Sequence, residues 1–243
     1  MDAHAAQWVG KRSKQEDAYG VRHFPEGSLA LVCDGMGGHM CGELASATAV
    51  RAFIDAFAEE LAAGDAVDES LHEALMRAND AVGELFAAPE AYGGTTLVAA
   101  FAGHGVLHWV SVGDSALYLW RQGALRRLNA DHSMRAVYEK FICPGGMTRK
   151  EAMAGGHVLR SAVTGEDIPL IDEPHRPLPI LPGDRLILAS DGLESLVSPG
   201  MVTPAVRKVL QQRGGSLAAE LVQACVAMDE PFADNVTVVS LDA

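Results

Sequence analysis

The chain has 243 residues, 49% of them hydrophobic and 21% charged, with a formal net charge of −13. A chain of this length buries about 70–75% of its unfolded surface, so a full core needs no disulfide staples. The acidity argues against nucleic acid, whose phosphates such a surface repels.

The four cysteines, Cys33, Cys41, Cys143 and Cys225, show no CxxC spacing, and the first residues form neither a basic nor an apolar leader region. Reduced thiols in a cytoplasmic protein are the expectation. No apolar run approaches the ~18 residues that span a bilayer, so no membrane association is expected.

In chain order, Glu16-Asp17 opens a predicted strand over residues 18–21. Residues 29–33 are a continuous apolar run, which predicts a strand buried on both faces, and it leads straight into Asp34-Gly35. Helical spacing predicts a helix over residues 44–61, with Ala47, Val50, Ile54, Phe57 and Leu61 inward. A second helix is predicted over 67–86, with Leu71, Ala74, Leu75, Ala78, Val82 and Leu85 on its stripe. Four β-rich runs follow at 95–101, 106–112, 116–120 and 125–128. The links between them are so short that an antiparallel meander is predicted, with Asp114 in its tightest hairpin. Residues 132–161, with Pro144-Gly145-Gly146 and Gly155-Gly156, break the regularity and read as a flap.

Residues 186–190 are a second apolar run, ending in Asp191-Gly192. Thr203-Pro204 marks a helix start, because threonine caps well and proline fits the first helical position. A last helix follows Ser216, with Leu217, Leu221, Cys225 and Met228 inward, and Asp234-Asn235 opens a final strand over 236–241. No repeat or linker divides the chain, so one domain over residues 1–243 is predicted. Its class is α+β: two packed antiparallel sheets flanked by helix pairs, a four-layer sandwich with a small flap.

Either Asp-Gly pair alone is an ordinary turn signal. Together with Glu16, Asp17, Asp114 and Asp234, they place carboxylates repeatedly at strand ends, as an acidic cleft along one sheet edge requires. Like charges so close repel, and cations offset the cost. Oxygen ligands without Cys or His clusters suit Mg²⁺ or Mn²⁺ rather than Zn²⁺. Two such ions about 3.5–4 Å apart share and activate a water for attack on phosphorus.

Seven motifs in order carry a resemblance over nearly the whole chain. They are Arg12-Ser13-Lys14-Gln15-Glu16-Asp17, Asp34-Gly35-Met36-Gly37-Gly38-His39, Gly93-Gly94-Thr95-Thr96, Val112-Gly113-Asp114-Ser115, Asp131-His132-Ser133, Ser190-Asp191-Gly192-Leu193 and Asp234-Asn235. The chain resembles the PPM family, the type 2C metal-dependent protein serine/threonine phosphatases, in compact bacterial form. The resemblance implies that Asp34 bridges two metals, with the Gly35 carbonyl on one of them, and that Asp191 and Asp234 complete the other shell. Glu16 and Asp17 then hold coordinating waters, Asp114 with Asp191 holds a third, weaker ion, and Arg12 clamps the phosphate. It also implies phosphorylated protein substrates, targets of a Ser/Thr kinase, for a monomeric enzyme.

Three departures stand out. Gln15 replaces the usual Asn, Ala116 a frequent Arg, and Met36 the His that serves some members as proton donor. His39 is then either the donor or a cap or surface residue, and His132 reads as structural. Thr95 and Thr96 read as strand residues, with Gly93 and Gly94 allowing close backbone approach. A rival chemistry is the Cys143-x5-Arg149 spacing of thiolate phosphatases. It lacks the buried strand before it, and Pro144 removes an amide. A regulator that binds phosphoproteins without turnover is the other alternative; the full carboxylate set argues for catalysis.

Overall fold

A computed structural model describes residues 1–37, 41–87, 92–142, 146, 148, 156–198, 201–212 and 214–243. The N-terminal half runs β1 (Asp2–Trp8), β2 (Asp17–Phe24), β3 (Gly27–Met36), α1 (Cys41–Ala63), α2 (Val67–Leu85), β4 (Gly94–Thr95), β5 (Leu97–Gly103) and β6 (Val106–Val112). The C-terminal half continues with β7 (Ala116–Arg121), β8 (Ala124–Arg127), α3 (Met134–Tyr138), β9 (Leu178–Pro179), β10 (Arg185–Ala189), β11 (Val197–Ser198), β12 (Met201–Val202), α4 (Pro204–Gln211), α5 (Leu217–Met228) and β13 (Val236–Asp242).

Two antiparallel sheets form the centre. One has the order β2-β3-β5-β6-β9, with β4 beside the end of β3; the other has the order β1-β13-β10-β7-β8. Strand periodicity sorts their side chains into three core layers. Leu29, Leu31 and Cys33 point from β3 toward Phe53, Phe57, Leu71 and Leu75 of α1 and α2. The alternate residues Ala30 and Val32 point the other way, onto Leu117, Leu119, Leu186, Leu188, Val239 and Leu241 of the second sheet. Ile187, Ala189, Val236 and Val238 line its far side, against Leu217, Leu221 and Cys225 of α5. The layer order is therefore helix, sheet, sheet, helix, as the sequence pattern predicts. Each large apolar side chain removed from water contributes about 1.5–3 kcal/mol.

The helix starts behave as read. Thr203 Oγ1 accepts from the Val206 N–H, with Pro204 in the first turn, and Ser216 Oγ accepts from the Ala219 N–H. Four expectations need correction. The meander breaks at residues 113–115: β6 pairs with β5 in one sheet, whereas β7 pairs with β8 and β10 in the other. Asp114 thus lies on a crossover between sheets, not in a hairpin. Gly113 makes the crossing possible, with φ of +97° and no room for a Cβ, which would sit 2.7 Å from Thr96 Cγ2. The inward stripe of α1 is rotated: Ala45, Ala49, Phe53 and Ala56 are buried with Val50 and Phe57, whereas Ala47 is exposed. A helix packed against both a sheet and α2 buries an arc wider than one stripe. Leu85 and Met228 end their helices exposed. Strand β1, rich in alanine, gives no β signal, yet pairs with β13 along its whole length.

The predicted flap lies partly outside the described residues. Its two ends are tied together, with the Met134 N–H donating to the Val158 carbonyl (2.8 Å) and the Arg160 N–H to the His132 carbonyl (2.8 Å). No helix among the described residues is long and apolar enough to cross a membrane.

Candidate active site

Five aspartates occupy one end of the two sheets. Asp17 opens β2 and faces Asp34 across the ladder to β3. In the second sheet Ala189 pairs with both Ala116 and Val238. Asp191 just past β10, Asp114 just before β7 and Asp234 just before β13 therefore emerge at the same end. The sheets bring these ends together, so the Asp34 carboxyl is pushed well above its usual range, first by burial and then by Asp17, Asp191, Asp114 and Asp234.

Asp191-Gly192 opens a 3₁₀ turn as expected, but Asp34-Gly35 is not a turn. Strand β3 continues through Gly35, which pairs with Thr95. A Cβ on Gly35 would lie 2.2 Å from the Gly42 carbonyl oxygen and 2.5 Å from that of Glu16. One on Gly192 would lie 2.1 Å from the Asn235 carbonyl oxygen. Both glycines are required by close backbone approach. Gly94 likewise packs on the Val163 carbonyl, where a Cβ would come within 2.8 Å.

Asp34 is held by its backbone. Its N–H donates to Thr96 Oγ1 (2.9 Å), and its carbonyl accepts from Thr95 Oγ1 (2.9 Å) and the Thr96 N–H (2.9 Å). The two threonines are thus more than strand residues. Asp17 is buried, and its Oδ2 accepts from the hydroxyls of Ser190 and Thr237, each at 2.7 Å. Its Oδ1 is buried with no hydrogen-bond partner among the described residues. Burial raises the Asp17 carboxyl to about 6; the two hydroxyls oppose that, and Asp191 and Asp234 add to it. Asp114 rises to about 7, through burial first, then Asp191 and Asp131, against the pull of Arg135 and Arg127. Asp191, at the head of a 3₁₀ turn (Asp191–Ser195), is raised by burial and then by Asp234.

The Arg12–Asp17 loop is fastened by a residue whose role the sequence did not reveal. Asn235 Oδ1 accepts from the Glu16 N–H (2.7 Å), and its Nδ2 donates to the carbonyls of Val9 and Lys14 (2.9 Å each). Glu16 in turn accepts from the Gly35 N–H (3.1 Å) and Ser46 Oγ (2.6 Å) through its carbonyl. Gln15, in place of asparagine, accepts from the Asp17 N–H (3.2 Å). Arg12 Nη2 donates to Asp234 Oδ2 at 2.6 Å, which puts the guanidinium at the rim of the aspartates.

Among the described residues no group of three or more His, Cys, Asp or Glu is gathered as a cation cluster. Asp234 is drawn onto Arg12, and Asp17 onto its two hydroxyls. His132 is structural, accepting the Gly113 N–H at 3.3 Å, and Ala116 is a buried core residue. His39, Cys143 and Arg149 lie outside the described residues.

Among solved structures that share this fold, two are serine/threonine phosphatases of near 30% identity. A PPM Ser-Thr phosphatase from Mycobacterium smegmatis, in complex with cacodylate, is 30% identical with a TM-score of 0.76, covering 100% of this chain and 98% of its own. The catalytic domain of the phosphatase PstP, in complex with two manganese ions, is 29% identical with a TM-score of 0.77, covering 99% and 97%. Among curated relatives, the serine/threonine phosphatase stp of Listeria monocytogenes is 33% identical over 76% of this chain and 75% of its own length. The protein phosphatase 2C family matches residues 9–224. The chain belongs to that family.

Proposed function

We propose that residues 1–243 form one catalytic domain that hydrolyses phosphoserine and phosphothreonine esters in proteins, using a water activated by two Mn²⁺ or Mg²⁺ ions. The observation that carries this reading is the convergence of Asp17, Asp34, Asp114, Asp191 and Asp234 at one end of both sheets.

The residues fit divalent cations. The donors are oxygens, the charges repel one another, and Asp17 Oδ1 is buried without a partner among the described residues. Asp34, the Gly35 carbonyl, Asp191 and Asp234 are the groups that would hold the two core ions, with Asp114 and Asp191 holding a third. When bound, the ions lower the pKa of a shared water and neutralise charge developing on the phosphoryl oxygens.

The chain's own groups do the rest. Glu16 and Asp17 would orient waters around bound ions, and the Ser190 and Thr237 hydroxyls fix the Asp17 carboxylate for that task. Arg12, at the rim, offers a planar guanidinium to two phosphate oxygens. Its contact with Asp234 keeps it within reach of the centre. The substrates are phosphorylated proteins, targets of a Ser/Thr kinase, and the enzyme is a cytoplasmic monomer.

The test is turnover of p-nitrophenyl phosphate and a phosphothreonine peptide with Mn²⁺, with EDTA, and in Asp34→Asn and Asp191→Asn. Activity should require the cation and fall by at least about 10³-fold in either variant, as when an ion that activates the water is misplaced. Undiminished turnover in EDTA would overturn the reading.

A further inference from the structure

Beside the aspartates, where β8, α3 and the Asp191–Ser195 turn meet, four charged side chains form a network. Arg127 Nη2 donates to the carbonyl of Asp114 (2.8 Å) and to that of Ser115 (3.4 Å). Its Nη1 stands 3.6 Å from Asp131 Oδ2 and 3.7 Å from Glu194 Oε1. Glu194 also pairs with Arg135, and Asp131 Oδ1 accepts from the N–H and hydroxyl of Ser133 (2.8 and 2.6 Å). The Arg127 side chain is 21% exposed, and its partners less so. An exposed ion pair contributes little. This one is largely shielded from water and anchored to backbone carbonyls, so its geometry is fixed.

The arrangement joins two separate strand ends. Asp114 lies on the crossover between sheets, whereas Glu194 sits on the turn that Asp191 opens. One guanidinium holds the backbone of the first and the carboxylate of the second. We propose that Arg127 is a positioning residue that sets the separation of Asp114 and Asp191, and with it the affinity for a third divalent cation. The inference rests on the reading of Asp114 as a cation ligand. It goes further by naming the side chain that makes the weak site, one that touches neither cation nor substrate. A lysine cannot replace it, because an ammonium has no fork to reach two carbonyls and two carboxylates. On its other side Arg127 borders a cavity of about 370 Å³, also lined by Leu125, Val197 and Val202. When the side chain is truncated, the Ser115 carbonyl keeps its bond from Asn129 Nδ2 (2.9 Å), whereas the Asp114 carbonyl exchanges a fixed guanidinium for mobile water.

Calorimetric titration of the metal-free protein with Mn²⁺ tests this, comparing wild type, Arg127→Ala, Arg127→Lys and Asp114→Ala. Arg127→Ala should weaken the weakest site about 10-fold, the low end for outer-shell partners of metal ligands. The tighter sites should stay unchanged, and Arg127→Lys should recover only part of the loss. Wild-type affinity at the weakest site in Arg127→Ala overturns the proposal, while loss of that site in Asp114→Ala leaves the reading of Asp114 standing. An Asp114→Ala titration identical to wild type overturns both. Weakening of every site in Arg127→Ala would show general collapse and also overturns the positioning role. If Arg127→Ala does not fold, Arg127→Lys decides: wild-type affinity there sinks the proposal.

Discussion

At the scale of single residues, the site is defined as much by what is small as by what is charged. Gly35 sits where the chains of Glu16 and Gly42 press on β3, with carbonyl oxygens 2.5 and 2.2 Å from any added Cβ. Gly35→Ala should therefore force β3 away from both carbonyls and displace Asp34 beside it. We expect a destabilisation of about 1–3 kcal/mol, the usual cost of overpacking, together with loss of most turnover. Urea unfolding and p-nitrophenyl phosphate kinetics check the two parts separately. Wild-type stability and rate in Gly35→Ala would show that the contact relaxes at no cost. The aspartates themselves were legible in the sequence, since each abuts an apolar or β-branched run. Asn235 was legible as a motif member but not as a fastener, because its three partners at residues 9, 14 and 16 lie more than two hundred positions away.

At the scale of elements, the end of the sandwich opposite the aspartates has its own clamp. The Asp184 carboxylate, just before β10, accepts from Arg121 Nε (2.8 Å) and Nη2 (2.5 Å) at the end of β7, and from the Leu181 N–H (2.8 Å). Arg121 also donates to the Pro179 carbonyl in β9 (2.7 Å), which ties the second sheet to the first. Burial raises the Asp184 carboxyl, but the Arg121 bond, the Leu181 N–H and the Arg121 charge outweigh it, so it lies below the usual carboxylate range. A folded-state value depressed below the unfolded one stabilises at pH above the unfolded value, about 3.9, and the gain is lost as pH falls through the folded value. Asp184→Asn should cost about 1.5–3 kcal/mol at pH 7, the range for hydrogen bonds to a charged group. The difference from wild type should shrink below about pH 4, as the Asp184 carboxyl is protonated first in the unfolded chain and then in the folded one. Chemical denaturation at pH 7 and pH 3.5 measures it; a gap independent of pH would remove the ionic part of the argument.

At the scale of the whole molecule, the raised carboxyls make a statement about stability. In the cation-free protein Asp17 titrates near 6 and Asp114 near 7, against about 3.9 in an unfolded chain. The folded state then binds more protons than the unfolded one between about pH 4 and 7, so stability falls as pH rises through that window. Divalent cations that bind only the folded state should reverse the loss. In EDTA, the melting temperature should be higher at pH 5.5 than at pH 8. Millimolar Mn²⁺ should raise it more at pH 8, where the carboxylates are ionised. Scanning calorimetry of the four conditions checks this, and a melting temperature at pH 8 indifferent to Mn²⁺ would contradict it.

The sequence alone determined the layer order, the helices and their caps, and the strand ends that carry Asp17, Asp34, Asp191 and Asp234. These features are local: apolar period, capping residues and the placement of a carboxylate beside a run are written within a few neighbouring positions. Only the tertiary structure decided the rest. It placed β6 and β7 in different sheets although three residues join them, because a short link at a glycine of positive φ can cross between layers as readily as it can reverse within one. It added the alanine-rich β1 to β13, where pairing with a preformed edge outweighs weak propensity. It showed that the glycine beside Asp34 lies within a continuing strand and not a turn, and that the glycines beside Asp34 and Asp191 are both demanded by contact with distant backbone. It also set Arg127, on the predicted strand 125–128, between the ends of two strands of one sheet. Each of these depends on which strands stack across the interior, and that is fixed by side chains far apart in the chain packing into one common core.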